Sequence, residues 1–158
     1  LFSAKKSIIG RSPLFINASA DWAISVNDAA ILEKASGSTV AKAANLSVWL
    51  VSLPWNNNPK AKITENIITR GWADIQNYES LNESSDLIPD KFYTMSFDLQ
   101  PDDQVIKKGQ QIGLMIFSSD QEFTLHPEPG TILTVDLNST SLKLPVVGGR
   151  RSYIKATR

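Results

Sequence analysis

One histidine, no cysteine and sixteen scattered carboxylates set the chemical means of this chain. His126 sits in Thr124-Leu125-His126-Pro127-Glu128-Pro129-Gly130, a stretch rich in turn formers. Paired with Glu122 or Asp120 it has the parts of a general base, but a base needs a nucleophile, and the G-x-S-x-G turn that exposes a hydrolase serine is absent. It reads as a solvated loop histidine. With thiolates missing, a metal would need oxygen ligands; Asp102-Asp103 after Pro101 is the one pair that suggests calcium. No D-x-[DN]-x-[DN]-G loop accompanies it, so two turn aspartates are the plainer reading. Acid pairs for hydrolysis, Asp98 with Asp120 or Glu65 with Asp74, depend on strands setting their separation, and surface ion pairs are the commoner fate of such residues. Gly109 and Gly148-Gly149 stand apart from any phosphate-binding pattern. The sequence thus nominates no catalytic, cofactor-binding or metal-binding residue.

The aromatic residues offer a second kind of chemistry. Exposed indoles stack on sugar rings or anchor protein contacts. Trp22, Trp55 and Tyr78 fall near strand ends or in loops and are the candidates for an interface or a ligand platform. Trp49 and Trp72 lie inside expected strands, where packing between sheets is the default. Asn17-Ala18-Ser19, Asn45-Leu46-Ser47, Asn82-Glu83-Ser84 and Asn138-Ser139-Thr140 match the glycosylation pattern, but two of them fall within expected strands and chance explains them.

Strands must position these residues. In Phe92 to Leu99, Tyr93, Met95, Phe97 and Leu99 alternate with Thr94, Ser96 and Asp98, as on a strand with one buried face. Gln111 to Phe117 is apolar on both faces and reads as a central strand. Further strands are expected over 14–19, 46–53, 63–73, 132–137 and 142–146, with turns at Pro54 to Pro59, Asn82 to Asp90, Pro101 to Asp103, Lys108-Gly109 and Pro127 to Gly130. Asp28 to Ala35 holds good helix formers after Asn27, so a short helical insert is expected within about 27–44. The expectation is an all-β fold: one antiparallel sandwich or jelly roll over 1–149, then a loosely ordered tail over 150–158.

Length and charge bound the rest. A chain of 158 residues, 42% apolar, is one domain's worth and can build a core without staples. Sixteen basic residues balance sixteen acidic ones, and no run of like charge exceeds two, as at Lys5-Lys6, Lys107-Lys108 and Arg150-Arg151. That argues against nucleic acid as a partner. No apolar stretch approaches the roughly 20 residues that span a bilayer, and Ile8-Ile9 is too short for an export segment. A start at Leu1 reads as a piece cut from a longer polypeptide.

An ordered set of segments adds a resemblance. It comprises Leu46-Ser47-Val48-Trp49-Leu50-Val51, Ile67 to Asn77 with Ile68-Thr69-Arg70-Gly71-Trp72, Met95 to Pro101, Val105 to Leu114, Ser118-Ser119-Asp120, Leu133 to Leu137 and Ser141 to Pro145. In this order the segments, about two-thirds of the chain, resemble the C-terminal non-catalytic domain of the Xaa-Pro dipeptidyl-peptidases. These are serine-type aminopeptidases related to cocaine esterase and the α-amino-acid ester hydrolases. The resemblance implies a galactose-binding-like jelly roll that is inert alone. Its partner is the α/β-hydrolase catalytic domain of the same parent chain, which carries the serine, aspartate and histidine and binds the peptide substrate. It further implies a cytoplasmic parent, with a homodimer as one arrangement, no cofactor and no membrane or nucleic-acid partner. The same domain of a related esterase or acylase, or a carbohydrate- or surface-binding sandwich module, is the alternative. In the segment Thr69 to Trp72, Thr69 and Gly71 share one face and Arg70 and Trp72 the other, and Gly71 admits a bulge or a close backbone approach.

Overall fold

The computed structural model describes residues 2–9, 14–16, 23–33, 45–54, 60, 65–88, 91–120, 122–127, 131–136 and 139–157. Among them every strand pairing is antiparallel. The first sheet runs in the order β1 (Phe2–Ile9), β8 (Gln111–Phe117), β4 (Asn45–Leu53), β5 (Ile67–Asp74). The second is built on β3 (Ala23–Glu33), which has β6 (Phe92–Asp98) along one edge. Along its other edge lie β10 (Thr140–Lys143), opposite residues 23–26, and β9 (Thr131–Val135), opposite residues 29–33. A small third ladder joins β2 (Leu14–Ile16) to β7 (Gln104–Ile106).

The core lies between the two large sheets. Leu46, Val48 and Leu50 of β4, Ile68 of β5 and Ile112 and Ile116 of β8 meet Met95 of β6, with Tyr93, Phe97, Leu133, Val135 and Leu142 of the second sheet packed against them. Alternation makes this possible: on β6, Tyr93, Met95 and Phe97 turn inward while Phe92, Thr94, Ser96 and Asp98 are exposed. Each fully buried Leu or Met contributes about 1.5–3 kcal/mol. The β-sandwich expectation holds, and β8 is the central strand its two apolar faces required.

Gly71 fixes how the sheets join. A Cβ there would lie 2.5 Å from Leu99 Cδ2 and 3.0 Å from the Asp98 carbonyl oxygen, so only glycine lets the chain leaving β6 pass this close beneath β5. There the Gln100 N–H donates to the Arg70 carbonyl (2.7 Å) and the Thr69 hydroxyl donates to the Gln100 carbonyl, occupying groups on a strand that ends its sheet among the described residues. Asn66, buried, closes the β4–β5 end: its amide donates to the carbonyls of Ser52 (2.9 Å) and Pro54 (3.3 Å), and its own carbonyl accepts from the Ser52 N–H (2.8 Å).

Two expectations are corrected. Residues 28–33, expected to begin a helical insert, continue strand β3; residues 34–44 lie outside those described. The reason is a bulge. Val26 pairs with Met95 and Ala29 with Tyr93, so Asn27 and Asp28 together oppose Thr94, and the period-two pattern changes phase at that point. Pairing along both edges overrides the helix propensity of the two alanines. The tail expected to be loosely ordered over 150–158 instead forms helix α1 (Gly149–Thr157). Gly148 and Gly149 take positive φ (78° and 63°) to turn the chain into it, Ala156 is buried in the core and Tyr153 packs against the core. Strands β1 and β7 were not anticipated; Lys5-Lys6 breaks the apolar alternation of one, and the other is only three residues long.

Candidate functional site

The face of the first sheet turned away from the core carries a different set of side chains. Trp49 on β4 stands opposite Arg70 on β5 and Met115 on β8, and Ser47 stands opposite Trp72 and Phe117. Odd positions of β4 therefore gather two indoles, a guanidinium and a phenyl ring on one surface, while Leu46, Val48 and Leu50 fill the core on the other. Trp49 and Trp72 do not pack between the sheets, as their strand positions first suggested. The side of β4 that Trp49 takes is readable from the sequence, because Trp49 has the opposite parity to the three core residues of that strand.

The chain after β8 folds back over this surface and brings Asp120 into it. Asp120 is 4% exposed, and its Oδ2 accepts from Trp49 Nε1 at 2.6 Å and from Trp72 Nε1 at 3.3 Å. Arg70 Nε lies 4.0 Å from the same oxygen and is itself buried without a hydrogen bond, an ion pair rather than a close fork. The guanidinium carbon is 5.2 Å from the Trp49 ring centre and 4.8 Å from that of Phe123, both within cation–π range. Phe123 stacks on Trp72 with centres 5.3 Å apart, and Phe117 meets Trp49 edge-on at 4.9 Å.

Local hydrogen bonds hold the loop in this position. The Asp120 N–H donates to the Thr124 hydroxyl (2.8 Å), the N–H groups of Phe123 and Thr124 both donate to the Asp120 carbonyl (2.8 Å each), and the Asn45 amide donates to the Leu125 carbonyl (2.8 Å). At the loop's outer end Phe123 is 51% and Leu125 85% exposed. The cluster contains no activated nucleophile, and the acceptor oxygen of Asp120 is turned to the indoles. What it can do is present a stiff apolar edge over a neutralised charge.

The residues singled out in the sequence fall elsewhere or take other roles. Trp22 and Trp55 lie outside the described residues. Tyr78 is 39% exposed, and its hydroxyl accepts from the Ser96 N–H (2.9 Å) on β6. His126 and Glu122 are exposed in the 118–127 loop. Asp102 turns its two oxygens to the Asp103 N–H (2.8 Å) and the Gln104 amide (3.0 Å), a turn role. Asp98 belongs to the second sheet, apart from Asp120 in the loop over the outer face of the first, and Asp74 accepts from the Gln76 N–H (3.0 Å). Among the described residues no three His, Cys, Asp or Glu side chains gather as a metal would need, and no helix is long and apolar enough to cross a membrane.

Comparison with known proteins gives the chain a family. The family described as the X-Pro dipeptidyl-peptidase C-terminal non-catalytic domain matches residues 10–156. The chain belongs to that family. Within this dipeptidyl-peptidase C-terminal family it is 72% identical over 107 residues to a putative Xaa-Pro dipeptidyl-peptidase of Rhodopirellula baltica, a match covering 68% of this chain and 17% of that protein. A putative Xaa-Pro dipeptidyl-peptidase of Bacillus cereus is 46% identical over 78 residues, covering 49% of the chain and 13% of the relative. The chain thus spans about a sixth of the length of the first of these relatives. Among solved structures, an α-amino acid ester hydrolase superposes with TM-score 0.60 at 15% identity, covering 87% of this chain and 24% of the other. A CocE/NonD family hydrolase from Staphylococcus aureus gives 0.56 at 12% identity over 89% and 29%. At these identities the likeness is one of fold, and the non-catalytic family description agrees with a site that holds a surface together.

Proposed function

We propose that this chain works as the C-terminal β-sandwich of a serine-type, proline-specific dipeptidyl-peptidase. In that parent, the α/β-hydrolase domain carries the catalytic residues and releases N-terminal Xaa-Pro dipeptides, while this domain packs against it and shapes the approach to its active site. The observation that carries the reading is the family match over nearly the whole chain, supported by 72% identity to a putative Xaa-Pro dipeptidyl-peptidase. A cytoplasmic parent, with a homodimer as one arrangement, belongs to the same reading. So does a contact role for Trp22 and Trp55; Tyr78, whose hydroxyl accepts from the Ser96 N–H on β6, is given none.

The test is an assay on Gly-Pro and Ala-Pro anilides beside Gly-Ala anilide. The full-length protein is expected to cleave the proline substrates at least a hundredfold faster than the alanine one, and the 158-residue chain to cleave neither. Turnover by the purified chain alone, or a full-length enzyme indifferent to proline, overturns the reading.

A further inference from the structure

We infer that Phe123 and Leu125, at the tip of the 118–127 loop, form part of the contact this domain makes with the catalytic domain of its own polypeptide. The inference rests on the function proposed above and adds the place of contact. Exposure alone does not mark a contact, since Leu81 on another loop is 91% exposed; what distinguishes this tip is how it is held. Here the Asp120 carboxylate, two indoles, Thr124 and Asn45 fix a backbone whose outermost residues are a phenyl ring 51% exposed and a leucine 85% exposed. Apolar anchors held in one conformation lose little entropy on docking, which is the property of a preformed contact. Beneath the tip, Arg70 lies under Phe123 and is neutralised by Asp120 4.0 Å away, so the surface offered is aromatic and uncharged at its centre. Its complement is an apolar depression rather than a charged one. Such a partner has room on the same polypeptide, because the matched segment is only 17% of the Rhodopirellula baltica relative.

The chain has no cysteine, so single cysteines report local access. Leu81, 91% exposed on another loop, is matched to Leu125 at 85% and serves as the control. In the full-length protein, maleimide modification of L125C, followed on its own peptide by mass spectrometry, is expected to run at least tenfold slower than that of L81C. In the 158-residue chain the two rates are expected to agree within twofold. A companion variant, F123S, is expected to raise the L125C rate in the full-length protein towards that of L81C. If L125C is as fast as L81C in the full-length protein while F92C is slowed, the contact lies on another face; the inference fails and the packing of the two domains stands. If all three react as quickly as in the 158-residue chain, and W22C and W55C do too, the packing proposal falls with it. Slow modification of L125C that disappears on dilution points to a second copy as the occupant and also overturns the inference.

Discussion

Burying a carboxylate costs several kcal/mol unless its oxygens are met. Asp120 is met by two indole N–H donors and a guanidinium, so its removal exposes the dependence of each on the others. Asp120→Ala strands Arg70 beside two rings and is expected to cost about 3–5 kcal/mol of stability. Asp120→Asn keeps an acceptor for the indoles and is expected to cost about 1–3 kcal/mol. In an Arg70→Met background the alanine change should cost at least ~1 kcal/mol less, as coupled neighbours require. Urea unfolding of the four proteins in that cycle measures the difference, and equal losses in both backgrounds would show that the pair is not coupled. Two glycines separate crowding from backbone strain in the same way. Gly71→Ala meets the backbone oxygen of Asp98 at 3.0 Å and should cost about 1–3 kcal/mol. Gly109→Ala has open space around it but φ of +86°, and should cost only about 1 kcal/mol. A Gly71 variant as mild as the Gly109 one would mean that the chain beneath β5 yields.

Strands whose alternation is unbroken were legible at the level of elements. Tyr93-Met95-Phe97 showed β6 and its inner face, the two apolar faces of Ile112 to Phe117 showed a central β8, and the face-splitting of Thr69 to Trp72 came out on β5 as its residue types required. Strand β3 was hidden because a bulge at Asn27-Asp28 shifts its phase and its stability comes from neighbours distant in sequence. Helix α1 was hidden because few of its residues are apolar: Ala156 is buried and Tyr153 packs on the core, amid arginine and lysine. The site was half legible: Asp120 stood out as an acid, yet its partners come from strands joined only by the sheet's register, which no local pattern states. Edge protection is a further property of elements. Strand β6 ends its sheet among the described residues, and the Tyr78 hydroxyl occupies the outward Ser96 N–H at 2.9 Å. Tyr78→Phe frees that donor and is expected to cost about 0.5–1.5 kcal/mol. An open edge also invites strand pairing, so the variant should self-associate in sedimentation velocity at concentrations where the parent chain does not; unchanged stability and association would remove Tyr78 from this role.

The two sheets meet through one continuous cluster, and the outer-face site hangs on strands whose other sides line that cluster. Trp49 looks out from β4 while Val48 and Leu50, its neighbours in sequence, look in. Loosening the core should therefore reach the Asp120 cluster without touching it, since β4 cannot shift one face alone. Met95, fully buried on β6 in the opposite sheet, is the position from which to ask. Met95→Ala is expected to cost about 2–5 kcal/mol. In a background with Trp22 and Trp55 changed to Phe, the fluorescence of Trp49 and Trp72 reports the outer face, and far-UV circular dichroism reports both sheets. The two signals should lose their urea midpoints by the same amount, as a single cooperative unit requires. A fluorescence midpoint that stays in place while the dichroism midpoint falls would mean that β4, β5 and the Asp120 loop stand without the second sheet. In that case the docking edge is supported by its own strands, and the second sheet has a separate task.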